Sequence, residues 1–211
     1  MITFRKVHPD EKNLMEQIFK LRYQVYTIER SFLPSENYPK QLEQDDFDRQ
    51  STHFAAFNDE EKVLGSVRMI LAQPRMVPVQ KFCPGVPFEE ICRLQNAAEI
   101  SRLVISKKSR KLFRDNRISE EEVVVGLCQA MYEFCQTEGI THTFALMEKT
   151  LWQLLRRYGF QFHCLGHEVD MYGPVKPYVC AVSAIEWAEI IPEESPVLTA
   201  RFPLPGTLAV A

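Results

Sequence analysis

Ala98-Glu99-Ile100-Ser101-Arg102-Leu103-Val104-Ile105 is the stretch on which the fold turns. Its apolar and β-branched background reads as a buried strand, yet it carries a carboxylate, a hydroxyl and a guanidinium. Strict alternation of strand side chains puts Glu99, Ser101 and Leu103 on one face and Ile100, Arg102 and Val104 on the other. Burying such groups unpaired costs several kcal/mol, so each needs a hydrogen-bonding or charged partner. Taken alone, the segment fits a structural Glu-Arg ion pair as well as a ligand site.

Downstream comes a cationic run, Lys107-Lys108-Ser109-Arg110-Lys111-Leu112-Phe113-Arg114-Asp115-Asn116-Arg117, which reads equally as a solvated loop or an anion-binding surface. Ser119 with Glu122 forms a capping box, and Val123, Leu127, Ala130, Met131 and Phe134 give the buried face of a helix that Gly139 ends. Ile140 to Met147 reads as a strand, and Leu151, Leu154, Leu155 and Tyr158 as a short helix closed by Gly159. Phe160 to Cys164 and Tyr178 to Ile185 are the last strand candidates, separated by Gly166, Gly173, Pro174 and Pro177.

Upstream, Ile2 to Val7 reads as a strand. Leu14, Ile18, Leu21, Val25, Ile28 and Phe32 form the stripe of one amphipathic helix or two in series, with Arg22, Tyr26 and Glu29 on one line beside it. The acidic stretch Glu43-Gln44-Asp45-Asp46-Phe47-Asp48 reads as a solvated turn or a weak cation site. Thr52 to Phe57 and Val63 to Leu71 form a hairpin, the second strand holding Gly65 and a further buried charge, Arg68. Gln73 to Ala97 has no sustained period and is long enough to cover a binding site.

The resulting order, β, α, β-hairpin, β, α, β, α, β, β, predicts one α/β domain over residues 1–190, a central mixed sheet with helices on both faces. The Pro-containing segment 191–211 reads as an arm. With 211 residues, 45% hydrophobic and 25% charged, the chain suits a single core. A net charge of −3 gives no global attraction for nucleic acid or an anionic membrane. No apolar run approaches the roughly 20 residues of a membrane span. Six scattered cysteines without a CxxC pair or a leader pattern read as reduced thiols of a cytoplasmic protein, Cys128 and Cys135 sharing one helical face. His163-Cys164-x-x-His167 lacks a second ligand pair, so no metal is expected.

The element order and Leu154-Leu155-Arg156-Arg157-Tyr158-Gly159-Phe160 resemble the GCN5-related N-acetyltransferase (GNAT) fold. Arg22 with Tyr26, Asp45-x-x-Asp48, Gly65-x-x-Arg68 and Glu99-x-x-Arg102 are similar to the acyl-homoserine-lactone (autoinducer) synthase branch. Residues 21–26, the 99–103 strand, 139–142 and 168–175 further resemble the PEP-CTERM/exosortase system-associated acyltransferases. Where autoinducer synthases carry a Trp after the first helix, this chain has Phe32, and no Trp precedes Trp152. The glycine loop with which typical acetyltransferases hold the CoA pyrophosphate is also missing, since no Gly lies between Gly85 and Gly126.

The resemblance implies an N-acyltransferase that moves a fatty acyl group from an acyl carrier protein or acyl-CoA thioester to the amine of a small acceptor, an amino acid or derivative, with no resident cofactor. Alternatives are acyl-homoserine-lactone synthesis, CoA-dependent acetyl transfer, and a non-catalytic acyl-binding module. It implies Glu99 as base and Arg22, Tyr26, Asp45, Asp48, Arg68, Ser101 and Arg102 as the acceptor site. Lys107, Lys108, Arg110 and Lys111 would receive the acidic carrier and its phosphopantetheine. Phe144, Leu146 and Met147 line the acyl pocket on this reading, or simply pack the core. Transfer of a proton from an α-ammonium to an ordinary Glu is uphill by about 5 kcal/mol, so Glu99 needs a raised pKa to serve.

Overall fold

A computed structural model describes residues 2–72, 77–86, 88, 96–115 and 118–185. Eight strands form one sheet: β1 (Thr3–Val7), β2 (Ser51–Phe57), β3 (Val63–Leu71), β4 (Ala97–Ile105), β5 (His142–Met147), β6 (His163–Cys164), β7 (Val169–Asp170) and β8 (Pro174–Ala181). The order is β1-β2-β3-β4-β5-β8-β6, with β7 paired to β8 alone. Neighbours are antiparallel except β4 and β5, which run parallel as a helical crossover between them requires.

The helices are α1 (Lys12–Tyr23), α2 (Pro78–Phe82), α3 (Lys107–Asp115), α4 (Glu120–Glu138) and α5 (Lys149–Arg157). The first amphipathic stripe is two segments in series, since α1 runs into a π-helical turn, Gln24–Glu29. Helix α4 starts at the capping box, Ser119 Oγ accepting from Glu122 N at 3.0 Å, and stops at Gly139 in the left-handed conformation (φ 66°). The cationic run is helical through Asp115, its first turn held by Ser106, whose Oγ accepts from Ser109 N, and by the Glu29 carboxylate, which accepts from Lys107 N. Neither residue lies in the run itself, which explains why the helix is hard to see from its composition.

The late strands differ from expectation. Extended pairing in the Phe160–Cys164 stretch is confined to β6, and β8 starts at Pro174 and contains Pro177. Pro174 is tolerated as the first residue of its strand. The turn from β7 to β8 holds Tyr172 (φ 62°) and Gly173 (φ 122°) and is tied by Gly173 N donating to Asp170 Oδ1 at 3.0 Å. Of the Gln73–Ala97 excursion, α2 is described; 73–76, 87 and 89–95 lie outside the described residues, as do 186–211, including the expected arm 191–211.

Helix α4 packs on one face of the sheet, with Val123, Leu127 and Met131 among Phe4, Phe54, Val67 and Met69. Helix α1 covers the other, with Leu14, Ile18 and Leu21 against Val7, Ala55 and Val104. The approach of α4 to β1 depends on Gly126, because a Cβ there would stand 2.5 Å from Phe4 Cζ. Gly126→Ala gains about 1 kcal/mol of helix propensity and loses about 1–3 kcal/mol to overpacking. A net fall in the urea midpoint is expected.

Two features of β4 place the site. The first is its pairing with β5, which covers only Ala97–Ile100 against His142–Ala145 although both strands continue. Beyond Ile100 the sheet is split. The second is a bulge: Ser66 pairs with Val104 and Arg68 with Ser101, so β4 spends one more residue than β3 between these points. The extra residue is accommodated at Arg102, whose φ is 54°. The expected alternation therefore fails there. Ala98, Ile100, Leu103 and Ile105 pack towards α4, and Glu99, Ser101, Arg102 and Val104 belong with α1. Glu99 and Arg102, expected on opposite faces, share one.

Candidate active site

The α1 face of the split sheet carries a cluster of six charges. Arg22 Nε donates to Glu43 Oε2, and its Nη1 donates to Asp48 Oδ1 at 2.6 Å. Arg68 Nη1 donates to Asp45 Oδ1 at 2.6 Å and to Asp48 Oδ1 at 2.9 Å, while its Nε donates to Ser101 Oγ at 3.1 Å. Arg102 reaches Glu43 Oε1 through Nε at 3.2 Å and Nη2 at 3.1 Å, and Asp45 Oδ2 at 3.1 Å. Its guanidinium lies 5.4 Å from the Tyr26 ring centroid. Three guanidiniums thus balance three carboxylates, as buried charges require.

The acidic stretch holds these partners because it folds on itself. Asp45 and Asp48 cap a 3₁₀ turn, Asp46–Gln50, reciprocally: Asp45 Oδ1 accepts from Phe47 N and Asp48 Oδ2 from Asp45 N. Each spends part of its carboxylate on the backbone and aims the rest at arginine. The solvated-turn and cation-site readings of this stretch are corrected accordingly; only Asp46 and Gln44 face solvent fully. Burial works against Asp48, but Arg22 and Arg68 outweigh it and hold the carboxyl near 2. His53, buried beside Asp48, is driven by burial down to about 4 and is neutral.

Glu99 stands apart from this balance. It is 2% exposed, and burial raises its carboxyl to about 8 against the opposing pull of the Val79 N–H, 2.7 Å from Oε2, and of Arg68 and Arg102. The arginines that would hold it charged are committed to Glu43, Asp45 and Asp48. Glu99 therefore exchanges its proton near neutrality, with the carboxylate and the carboxylic acid both within reach.

The split between β4 and β5 opens into a cavity of about 770 Å³. Tyr26, Phe32, Asp45, Glu99, Ser101 and Arg102 line it on the polar side. Leu103, Val124, Cys128, Met131, Cys135 and Met147 line it on the α4 side. Near the polar end Phe32 stacks on Tyr172 (centroids 5.6 Å, planes 15° apart) and lies tilted against Tyr26 at 6.3 Å.

The structure brings Glu99, Tyr26, Asp45, Ser101 and Arg102 together on the cavity wall. Arg22, Arg68 and Asp48 sit behind them as their buried frame. Leu146 and Met147 line the cavity, but Phe144 faces the other way and packs edge-on against Phe88, centroids 5.2 Å apart. Lys107, Lys108 and Lys111 are exposed on α3, while Arg110 lines the cavity and pairs with Glu120 at 3.0 Å. His163, Cys164 and His167 are exposed, and among the described residues no three His, Cys, Asp or Glu side chains converge to hold a metal ion. Glu43, fully buried between Arg22 and Arg102, is absent from the site read in sequence. Its signal was an excess of cations: three strand and helix arginines against two aspartates leave one positive charge to be matched from the same stretch.

This architecture, a split sheet joining a polar cluster to an apolar cavity, belongs to an acyltransferase. The chain is a member of the autoinducer synthase family, whose model matches residues 7–184. An acyl-homoserine-lactone synthase of Aeromonas salmonicida is 29% identical over 171 residues, 79% of each chain. In fold the chain is similar to BjaI, a CoA-dependent acyl-homoserine lactone synthase solved with SAM and isopentyl-CoA (TM-score 0.63, 20% identity, 86% of this chain and 84% of that one). It is also similar to FeeM, an N-acyl amino acid synthase from uncultured soil microbes (TM-score 0.62, 16% identity, 89% and 92%).

Proposed function

We propose that the protein transfers a fatty acyl group from a thioester to the amine of a small acceptor, with Glu99 taking the proton. The observation that carries this reading is a buried carboxyl, raised to about 8 so that its ionised form is a base matched to an amine, on the wall of the cavity that passes through the split sheet. The acyl chain lies on the α4 side, the thioester carbonyl sits in the split, and the amine approaches from the Glu99 side. An α-amine titrates near 8, so proton transfer to a Glu99 of about 8 is close to balanced, where an ordinary Glu would face about 5 kcal/mol. Past Ile100 the edge of β4 that β5 no longer covers offers backbone N–H groups to the developing oxyanion. The thioester bond breaks as the C–N bond forms, and the thiol leaves with a proton.

Tyr26, Ser101, Asp45 and Arg102 shape the acceptor site, framed by Arg22, Arg68 and Asp48. Exposed Lys107, Lys108 and Lys111 on α3, with Arg110, favour an acidic carrier protein and its phosphopantetheine phosphate as donor, acyl-CoA being the other source. Within the family, the resemblance read in residues 168–175, which build the β7–β8 hairpin, is our reason for placing the chain near the PEP-CTERM/exosortase system-associated acyltransferases. Free cysteines and thioester donors fit a cytoplasmic setting.

Two acceptors remain in contention. Acyl-homoserine-lactone synthesis is supported at least as well as amino-acid acylation, because the curated relatives are acyl-homoserine-lactone synthases. The amino-acid reading is favoured by Phe32, which stands in the aromatic row Tyr26–Phe32–Tyr172 at the polar end, in the part of the chain where autoinducer synthases carry a Trp. Purified protein given hexadecanoyl carrier protein or hexadecanoyl-CoA, with S-adenosylmethionine or with mixed amino acids, discriminates by mass spectrometry. An N-acyl amino acid supports the amino-acid acceptor and an acyl-homoserine lactone the other. Thioester hydrolysis without any acylated amine would refute acyl transfer to an amine.

A further inference from the structure

Helix α3 begins where β4 ends, so its first turn stands at the far end of the strand edge that β5 leaves open. Ile105 and Arg110, on either side of that turn, line the cavity, as does Arg30, next in sequence to Glu29. Ser101 and Ile105 are about 13 Å apart along the strand. A donor whose thioester carbonyl lies in the split thus carries its phosphate end towards the start of α3. A helix N-terminus, with its free N–H groups and partial positive charge, is where such a phosphate would settle.

Here that position is taken. Lys107 N donates to both carboxylate oxygens of Glu29, at 3.1 and 3.0 Å, Ser109 N donates to Ser106 Oγ at 3.1 Å, and Arg110 N closes the turn on Ser106 O at 3.0 Å. Ser106 already supplies the side-chain cap that a helix needs. Glu29 adds a full negative charge from 78 positions earlier in the chain. The π-helical turn that ends at Glu29 carries it there, and Gln24 Nε2 donates to its Oε1 at 3.2 Å and steadies it.

We infer that Glu29 is a specificity residue for the donor: its carboxylate fills the phosphate position at the start of α3 and turns away the pyrophosphate of a coenzyme A thioester. The inference rests on the acyl-transfer reading above and supplies a physical reason for a choice between its two donors. A pyrophosphate brings adjacent negative charges to a turn whose N–H groups are spent and whose nearest charge is of its own sign. A carrier protein brings one phosphodiester and an acidic surface, which the exposed Lys107, Lys108, Lys111 and Arg114 hold on the outer side of α3 without using the helix end.

Glu29→Gln separates the charge from the cap, because its amide oxygen still accepts from Lys107 N. Titration calorimetry with coenzyme A itself, which needs no turnover, should show roughly tenfold tighter binding to the variant than to the unmodified protein. With hexadecanoyl donors, the ratio of kcat/KM on coenzyme A to kcat/KM on acyl carrier protein should rise by a similar factor, the change lying in KM for the coenzyme A donor. A carboxylate that served only as a structural cap would move both donors together and leave the ratio alone.

Equal affinity for coenzyme A in the two proteins, or an unchanged donor ratio, overturns the role of Glu29 while acyl transfer stands. If Glu29→Gln fails to fold, the unmodified protein decides: hexadecanoyl-phosphopantetheine, which lacks the pyrophosphate, should be the better donor than hexadecanoyl-coenzyme A, and the reverse order overturns the inference. Absence of any acylated amine with all three donors overturns the acyl-transfer reading, and the calorimetry still decides whether Glu29 repels the pyrophosphate.

Discussion

Glu99→Gln should lower kcat/KM by about 10²- to 10⁴-fold while making the protein more stable at pH 8 than the unmodified chain. The two effects share one cause. Burial lifts Glu99 from 4.5 to about 8 in the folded protein, so folding favours the neutral carboxyl. Below pH 4.5 both states are protonated and the full stability is present. As pH rises from there to about 8, the unfolded chain ionises while the folded one does not, and stability falls by on the order of 5 kcal/mol. Glutamine cannot ionise, so the variant keeps that stability, and its amide oxygen still accepts from Val79 N. The denaturation midpoints of the two proteins should converge near pH 4 and separate by pH 8. The rate of the unmodified enzyme should climb with pH through about 8, and this limb should vanish in the variant. A variant that retains full turnover would remove Glu99 from the role of base.

Glu43→Gln should cost about 3–5 kcal/mol, because it leaves Arg22 and Arg102 with a buried charge that nothing cancels. That is a large share of the 5–15 kcal/mol typical of a domain. Urea unfolding should show it, with Asp46→Asn, on the exposed side of the same stretch, as the unaffected control. An unchanged midpoint would mean that water already reaches Glu43. The loss should fall on structure first, since Glu43 does not line the cavity and acts by holding Arg102 there.

The sequence is most readable where structure is decided locally. The Ser119–Glu122 box, the Gly139 stop, the β2–β3 hairpin and the charged residues within β3 and β4 follow from spacing alone, and those charges led directly to the site. Features that depend on a distant partner do not show. Glu43 is indistinguishable from Asp46 in a run of acids until Arg22 and Arg102 arrive from α1 and β4. Helix α3 takes its N-terminal anchor from Glu29, 78 residues earlier. Phe144 and Met147 both look like pocket lining, and only the direction of β5 against its neighbours separates them. The π-helical turn at Gln24–Glu29 continues the apolar stripe of α1 and leaves no separate mark in the residues.

The single extra residue at Arg102 has a consequence for how the strand tolerates change. Deleting Arg102 would restore plain alternation and leave Leu103 and Ile105 towards α4 and Val104 towards α1, so the strand would lose a guanidinium and keep its faces. Closing the bulge at unchanged length would instead turn Leu103 and Ile105 towards the arginines and Val104 towards α4. Related chains that lack the extra residue should be brought into register with the gap placed at Arg102.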